Sequence, residues 1–216
     1  TLLTRGIPNR HKKFKQTEIG EIPEDWEVVQ FKKIVSKFKN GGTPDTRIKS
    51  YWEGTIPWVT GADFSEGKLR VRRYITGDAV KKSATNVIAK GDLLLVSRTG
   101  VGKMVIAPFD VAISQDVTGI SFLAGVLPDY AYWFMHKNIV VLQNLNQGTS
   151  INGIIREDLE KMKFAVPKKE EQSTIVQMLQ SAKSRIAKEF EKKQRLVNLK
   201  KSLMQKLLSG EFRVKV

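Results

Sequence analysis

The sequence predicts an α+β fold in which a mixed globular domain, with several short β-strands and peripheral helices, is followed by one long amphipathic helix. Between residues 19 and 167, short apolar runs alternate with Gly and Pro, a pattern typical of short strands. Residues 168–209 contain neither Gly nor Pro and are rich in helix-forming residues. The length of 216 residues, with 41% hydrophobic residues, suffices for one domain with an extension.

The first sixteen residues carry five cationic side chains and no acidic one. Such a segment is typical of an exposed connector, and we assign residues 1–18 to it. The stretch Leu2–Gly6 resembles Leu207–Gly210, and each would be the last turn and glycine stop of a long helix. With Thr1 as its first residue, the chain is expected to be the second half of a duplicated protein that retains the tail of the preceding repeat.

The predicted globular domain covers residues 19–167. Its early part contains the turn Asn40–Pro44, in which two glycines would permit positive φ angles. Three large aromatics, Tyr51, Trp52 and Trp58, are interpreted as core side chains. Further on, residues 68–75 alternate as a strand would, which would place Lys68, Arg70 and Arg72 on one face and Leu69, Val71 and Arg73 on the other.

A buried strand is predicted at Leu93–Val96, followed by a loop at 97–103 that holds two glycines between two cations. Because this loop lies at a strand end, it is a favourable place for binding groups. The loop has neither the order nor the spacing of a Walker phosphate-binding motif. Strands are predicted at Met104–Ala107 and Val117–Phe122, flanking a polar turn at Ser114–Asp116.

The second half of the domain is predicted to contain a helix at Tyr130–Asn144 and a short strand at Phe164–Val166 that leads into the long helix. Residues 168–210 form that helix, roughly 60 Å in length, and residues 211–216 form a tail. Its apolar side chains recur at spacings of three and four, so we expect antiparallel pairing with another helix, although the helix could instead fold back on its own domain. The predicted pairing residues are Ile175, Leu179, Ile186, Phe190, Val197, Leu203 and Leu207.

The formal net charge of +15 and the pI near 9.9 favour a polyanionic partner, with nucleic acid as the first candidate. A protein that is merely basic is the alternative. The cations and the amide that we expect to contact DNA are Lys68, Arg70, Arg72, Arg98, Lys103 and Gln115. The basis for this expectation is charge and loop position, since cations anchor phosphates and polar side chains read base edges.

Several other kinds of site are not indicated. The chain has no Cys and two isolated histidines, His11 and His136, so neither disulfides nor a metal centre is expected. No apolar run of membrane-spanning length and no export signal is present, and we expect no membrane partner and a cytoplasmic location.

A set of short motifs, in order along nearly the whole chain, resembles the specificity subunit of type I restriction-modification systems. The stretch Ile19–Trp26 is similar to the entry of that family's target recognition domain. The other motifs are Gly42-Thr43-Pro44, Tyr51-Trp52, Ile56-Pro57-Trp58, Lys90–Leu94, Ser97-Arg98, Gly102-Lys103, Pro167 with Glu170-Glu171-Gln172, and Leu203–Leu208.

The resemblance implies a subunit that recognises DNA and has no catalytic activity. Members of the family carry two target recognition domains, each reading half of a split double-stranded DNA sequence, separated by two long antiparallel helices. They recruit methyltransferase subunits, which hold S-adenosylmethionine, and then restriction subunits; the specificity subunit itself needs no cofactor. Only one recognition domain and one complete long helix are present here, so the chain is either half of a full subunit or a half-subunit that forms a homodimer through the long helix.

Two other function classes remain open. Asp45, Glu66 and Lys68 match the loose pattern of a Mg²⁺-dependent nuclease, in which two carboxylates hold the metal. A helical scaffold that binds partner helices and no DNA would explain the long helix and leave the charge unexplained. No Asn/Asp-Pro-Pro-Tyr stretch of a DNA methyltransferase is present.

Overall fold

A computed structural model describes residues 2–65, 67–138, 153–154 and 156–210. Within these ranges the chain divides into two compact units, residues 1–175 and 176–216. No helix among the described residues is long and apolar enough to cross a membrane. The α-helices are α1 (Leu2–Arg5), α2 (Gly77–Lys81), α3 (Pro128–Lys137), α4 (Arg156–Lys161) and α5 (Lys169–Leu208).

The first unit is built from short strands, as the sequence predicts. Three short 3-10 helices, Phe31–Lys33, Lys49–Trp52 and Gly61–Asp63, lie between them. The strands are β1 (Phe14–Thr17), β2 (Gly20–Pro23), β3 (Glu27–Gln30), β4 (Val35–Asn40), β5 (Ile56–Val59), β6 (Phe64–Ser65), β7 (Lys68–Leu69), β8 (Arg73–Ile75), β9 (Asn86–Ile88), β10 (Leu93–Val96), β11 (Met104–Ile106), β12 (Val111–Ile113), β13 (Val117–Phe122) and β14 (Lys163–Val166).

Two four-stranded sheets form the centre of this unit. One has the order β11-β10-β13-β4 and is antiparallel throughout. The other has the order β8-β5-β12-β9, with β5 and β12 parallel and the remaining pairs antiparallel. Two-stranded pairs, β1-β2, β3-β14 and β6-β7, complete the described strands. The described residues therefore form an α+β fold.

The core lies around β10, whose four residues are all fully buried. A strand covered on both faces has no polar face to show, which is why Leu93–Val96 is a continuous apolar run rather than an alternating one. Trp58 is also buried, and Trp52 packs edge-on against it with the ring centres 5.1 Å apart. The interpretation of Trp58 as a core aromatic is confirmed, and Tyr51 and Trp52 are partly buried and pack against the same core cluster.

Several elements differ from the sequence prediction. The single strand expected over residues 68–75 is interrupted, because Arg70, Val71 and Arg72 are not in a strand and separate β7 from β8. Strand β12 was not predicted. It has three residues, all buried, which is too short a stretch to show the alternation of apolar and polar residues typical of a strand. The predicted helix at Tyr130–Asn144 is observed as α3 (Pro128–Lys137), and residues 139–144 lie outside the described part.

Helix α5 confirms the predicted long helix, with 40 residues in one element. Of the predicted pairing residues, Ile175 is fully buried within the first unit. Because Ile175 packs in the globular core, its assignment to helix pairing is corrected here. Ile186 and Phe190 are 70% and 67% exposed, and Val197, Leu203 and Leu207 are also exposed, whereas Leu179 is partly buried.

The N-terminal segment is not simply an exposed connector. Leu3 is buried, β1 pairs with β2, and the side chain of His11 is only 7% exposed. The reason is a buried acceptor near the start of α5. Glu171, with a 2% exposed side chain, lies with Oε1 2.7 Å from His11 Nε2 and accepts a hydrogen bond from Trp26 Nε1 at 3.2 Å.

The neighbouring Gln172 is equally buried and joins the first turn of α5 to the segment that precedes α3 by hydrogen bonds. Its Nε2 donates to the carbonyls of Gly125 and Pro167 at 2.8 and 2.9 Å, and its Oε1 accepts from Leu127 N at 2.8 Å. Glu171 and Gln172 therefore fix the start of α5 to two distant parts of the chain.

We expect the substitution Glu171→Ala to lower the free energy of unfolding by about 3 kcal/mol, because it leaves buried donors of His11 and Trp26 unpaired. The matched control is Glu170→Ala, since Glu170 is adjacent and exposed; there the change should stay within about 0.5 kcal/mol. Urea denaturation followed by tryptophan fluorescence measures both. Equal stabilities of the two variants would show that the buried network contributes nothing.

Candidate nucleic-acid interface

Two clefts lie on the first unit where loops from both central sheets meet. One has a volume of about 760 Å³ and is lined by Thr60, Gly61, Ala62, Arg72, Arg73, Thr99, Gly100, Lys103 and Asp116. The other, of about 560 Å³, is lined by Phe38, Asn40, Gly41, Ser97, Arg98, Gln115, Thr118, Gly153, Ile154, Arg156, Glu157 and Leu159. In the lining of each cleft, cationic side chains therefore outnumber acidic ones.

The loop at 97–103 and the turn at 114–116 supply lining residues to both clefts. They are joined by backbone hydrogen bonds, from Ser97 N to the carbonyl of Asp116 at 2.9 Å and from Arg98 N to the same oxygen at 3.3 Å. The loop closes the β10-β11 hairpin with Gly100 at a φ of 96°, a conformation that strongly favours glycine. The predicted binding loop is therefore held at its base.

The predicted glycine turn at 40–44 is close to this region, but its glycines are not needed for the positive φ angles that the sequence suggests. Neither Gly41 nor Gly42 has a positive φ. A Cβ at Gly41 would instead lie 2.2 Å from the carbonyl oxygen of Ile113, so glycine is required by the close approach of two backbones. The next residue, Thr43, donates from Oγ1 to Gln115 Oε1 at 2.6 Å. This contact orients the Gln115 amide.

A buried carboxylate organises the larger cleft. Asp63 has a side chain with 0% exposure, at the end of the 3-10 helix Gly61–Asp63. Its Oδ2 accepts from Thr60 N at 2.8 Å and from Thr60 Oγ1 at 2.9 Å. Its Oδ1 accepts from Arg72 Nε at 2.6 Å, and Arg73 Nη2 lies 3.4 Å from Oδ2.

The pKa of Asp63 lies below its usual value. Burial alone would raise the pKa, but the hydrogen bonds from Thr60 and Arg72 favour the ionised form and outweigh it. Arg73 is held on a second side, with its guanidinium carbon 4.6 Å from the centre of the Trp58 ring. Two adjacent arginines are thus fixed by one ionised carboxylate at the cleft.

The structure divides the predicted DNA-contacting residues into three groups. Arg72 and Lys103 line the larger cleft, and Arg98 and Gln115 line the smaller one. Lys68 and Arg70 are exposed but are not among the residues that line either cleft.

Two cationic lining residues were not predicted. The alternating pattern puts Arg73 on the apolar face of a strand, but that strand is interrupted just before it. Arg156 lies in α4, with its guanidinium carbon 4.9 Å from the Phe38 ring centre and its Nε bonded to Glu160 Oε1 at 2.6 Å. Arg156 lies among other charged residues, so nothing in the sequence distinguishes it as a site residue. Its contact with Phe38 exists only in the folded chain.

The structure describes Asp45 and Lys68 of the nuclease pattern. Both oxygens of Asp45 accept hydrogen bonds from Arg47, at 3.0 and 2.8 Å, and this contact lowers the pKa of Asp45 to about 2. Glu66 lies outside the described residues. Asp45 therefore has an arginine partner where the nuclease hypothesis would need a metal ion.

Comparison with known proteins gives one consistent family. Residues 23–198 match the family described as "Type I restriction modification DNA specificity domain". The chain is 33% identical over 172 residues to the type I restriction enzyme MjaIX specificity subunit of Methanocaldococcus jannaschii, covering 77% of this chain and 40% of that protein. It is 30% identical over 218 residues to the putative MjaX specificity subunit of the same organism, covering 99% and 49%.

Solved structures share the fold. One, from a study of complex assembly and conformational transition of the type I R-M system, has a TM-score of 0.70 at 19% identity and covers 89% of this chain and 48% of that one. The HsdS subunit from Thermoanaerobacter tengcongensis has a TM-score of 0.64 at 19% identity, covering 81% and 41%. The chain therefore spans about half the length of the relatives it matches.

Proposed function

Because the chain belongs to the type I restriction modification DNA specificity family, we propose that it reads one half of a bipartite double-stranded DNA target. The observation that carries this proposal is the pair of clefts at the loop 97–103 and the turn 114–116, which are lined by five cationic side chains, Arg72, Arg73, Arg98, Lys103 and Arg156. Cations around a loop that is fixed by backbone hydrogen bonds can bind phosphates and hold polar side chains against base edges.

The smaller cleft supplies an uncharged reader. Thr43 Oγ1 donates to Gln115 Oε1, which leaves the Gln115 Nε2 hydrogens to donate to DNA. An amide is suited to the adenine edge, where it can both donate and accept, and Oε1 retains a second lone pair for this. Arg98 beside it would bind the neighbouring phosphate. In this proposal residues 19–167 are the target recognition domain.

Helix α5 has a second role in the proposal, as the spacer that pairs with another long helix. Its apolar residues from Ile186 to Leu207 are exposed, and such a broad apolar face is stabilised when another helix covers it. The partner is the matching helix of a second half or of a second copy. The paired subunit would dock methyltransferase subunits, which hold S-adenosylmethionine, and then restriction subunits, in the cytoplasm, with no catalysis by this chain.

Charge reversal of the loop tests the DNA-binding part. We expect Arg98→Glu with Lys103→Glu to weaken binding to duplex DNA roughly a hundredfold at about 100 mM salt, because two phosphate anchors become repulsive. The control is Lys12→Glu with Lys13→Glu, which changes the net charge equally at exposed residues outside both clefts. Fluorescence anisotropy with a labelled duplex measures both.

Equal weakening by the two double substitutions would contradict the proposal, because binding would then follow net charge and not the clefts. A scaffold that binds no DNA, the second candidate, predicts no measurable affinity for the unsubstituted chain either.

A further inference from the structure

We propose that Asp63 is a positioning residue that fixes the Arg72 guanidinium to read a guanine base edge in the DNA target. This inference rests on the proposed function and adds to it a specific base type and the residues responsible. Its basis is the geometry of the larger cleft, where a fully buried carboxylate holds a half-exposed arginine side chain.

Arg72 is held through its Nε by the buried carboxylate. Nε of Arg72 donates to Asp63 Oδ1 at 2.6 Å, and no hydrogen bond joins its Nη1 or Nη2 to another of the described residues. The two terminal nitrogens therefore form a free fork beside the cleft that Arg72 lines. Two N–H groups in this fixed geometry match the O6 and N7 acceptors of guanine in the major groove.

Asp63 is itself held by contacts other than the one with Arg72. Thr60 donates to Oδ2 through both its backbone N and its Oγ1. The backbone bond is one half of a capping box at the start of the 3-10 helix Gly61–Asp63, in which the Thr60 side chain in turn accepts from the Asp63 backbone N–H. Arg73, stacked over Trp58, approaches the same oxygen. Because these contacts hold the Asp63 carboxylate in one position, the Arg72 guanidinium can form its hydrogen bond only in the orientation that this position allows.

Base reading and phosphate anchoring need different degrees of side-chain support. A phosphate contact tolerates a mobile side chain, and Lys103, exposed in the same cleft, is suited to it. Base recognition needs the reading group held to within about 0.5 Å, which requires support from behind. A buried ionised carboxylate behind an arginine supplies that support, and it would be an unnecessary desolvation cost if only a positive charge were needed.

The test uses the chain together with the methyltransferase subunit of its system. A preferred motif is first selected from randomised duplexes, and affinities are then measured for the preferred duplex and for duplexes in which each G·C pair is replaced by A·T. We expect the unsubstituted chain to lose roughly tenfold or more in affinity at one guanine position. Asp63→Asn and Arg72→Lys should both abolish this preference at that position only.

The two variants distinguish a reader from an anchor and from a structural residue. Arg72→Lys keeps a cation beside the Asp63 carboxylate at a half-exposed position and should remain folded, which circular dichroism checks, so it decides the matter even if Asp63→Asn does not fold. Retention of the guanine preference in Arg72→Lys, or equal loss of affinity for every duplex, would overturn the inference. A chain that selects no motif at all would instead contradict the proposed function, and this inference with it.

Discussion

Replacing both Ile186 and Phe190 with aspartate is expected to abolish self-association of the chain while the globular unit stays folded. Both side chains are more than half exposed on α5, and both lie in the second unit, outside the core of the first. Burial of such a side chain contributes about 1.5–3 kcal/mol. Because each of the two paired helices would carry two carboxylates in place of two apolar side chains, pairing should weaken by roughly a thousandfold or more.

The control for this experiment is Ser181→Asp with Ser184→Asp, which adds the same charge on the opposite side of α5 at exposed positions. Sedimentation velocity over a range of concentrations measures the assembly state, and far-ultraviolet circular dichroism reports folding. We expect dimers for the unsubstituted chain and the control, and monomers for the Ile186 and Phe190 variant. Dimers in all three would show that another surface mediates association.

The second large expected effect is the dependence of DNA affinity on salt concentration. We expect the affinity for duplex DNA to fall roughly a thousandfold between about 50 and 200 mM salt, as for a protein that makes about six phosphate contacts. The cations around the two clefts are sufficient in number for this, because five line them and Lys68 and Arg70 are exposed nearby in sequence. Each neutralised phosphate releases a condensed counterion, and added salt opposes that release.

A titration series with a labelled duplex at several salt concentrations gives the slope. Arg98→Glu with Lys103→Glu should reduce the slope by about two phosphate contacts, whereas the Lys12 and Lys13 control should leave it unchanged. An affinity that does not depend on salt would favour the scaffold hypothesis, since a surface that pairs helices through apolar residues releases no counterions.

The parts of the fold that could be predicted are those decided by local sequence. Residues 168–209 lack Gly and Pro, and local propensity over so long a stretch identifies a helix without tertiary information. The apolar run Leu93–Val96 likewise identifies a buried strand. In both cases one physical term decides the structure, and the structure confirms the prediction.

The parts that could not be predicted depend on tertiary contacts. The alternation at residues 68–75 suggests one strand, but Arg72 and Asp63 form an ion pair at the interruption, and Arg73 packs on Trp58 instead of facing the core. The sequence suggests a turn glycine at Gly41, whereas its small size is needed because Ile113 approaches it. Neither contact can be recognised from the pattern of the neighbouring residues in the sequence.

The candidate site shows the same division. Charge and loop position identify Arg72, Lys103, Arg98 and Gln115, which line the clefts. They do not identify Asp63, because a single aspartate in this stretch has no distinctive pattern, and its role is visible only from its partners. A search for acidic residues close in sequence to paired arginines would have included it among the candidates.

The measurement that tests the central claim most directly is selection from a pool of randomised duplexes. The chain is incubated with the pool in the presence of its methyltransferase subunit, and the bound fraction is sequenced. The proposed function predicts enrichment of a short motif of a few base pairs, single for a half-subunit and symmetric for a dimer. Retention of DNA with no enriched motif would contradict sequence recognition and leave the clefts as a nonspecific binding surface.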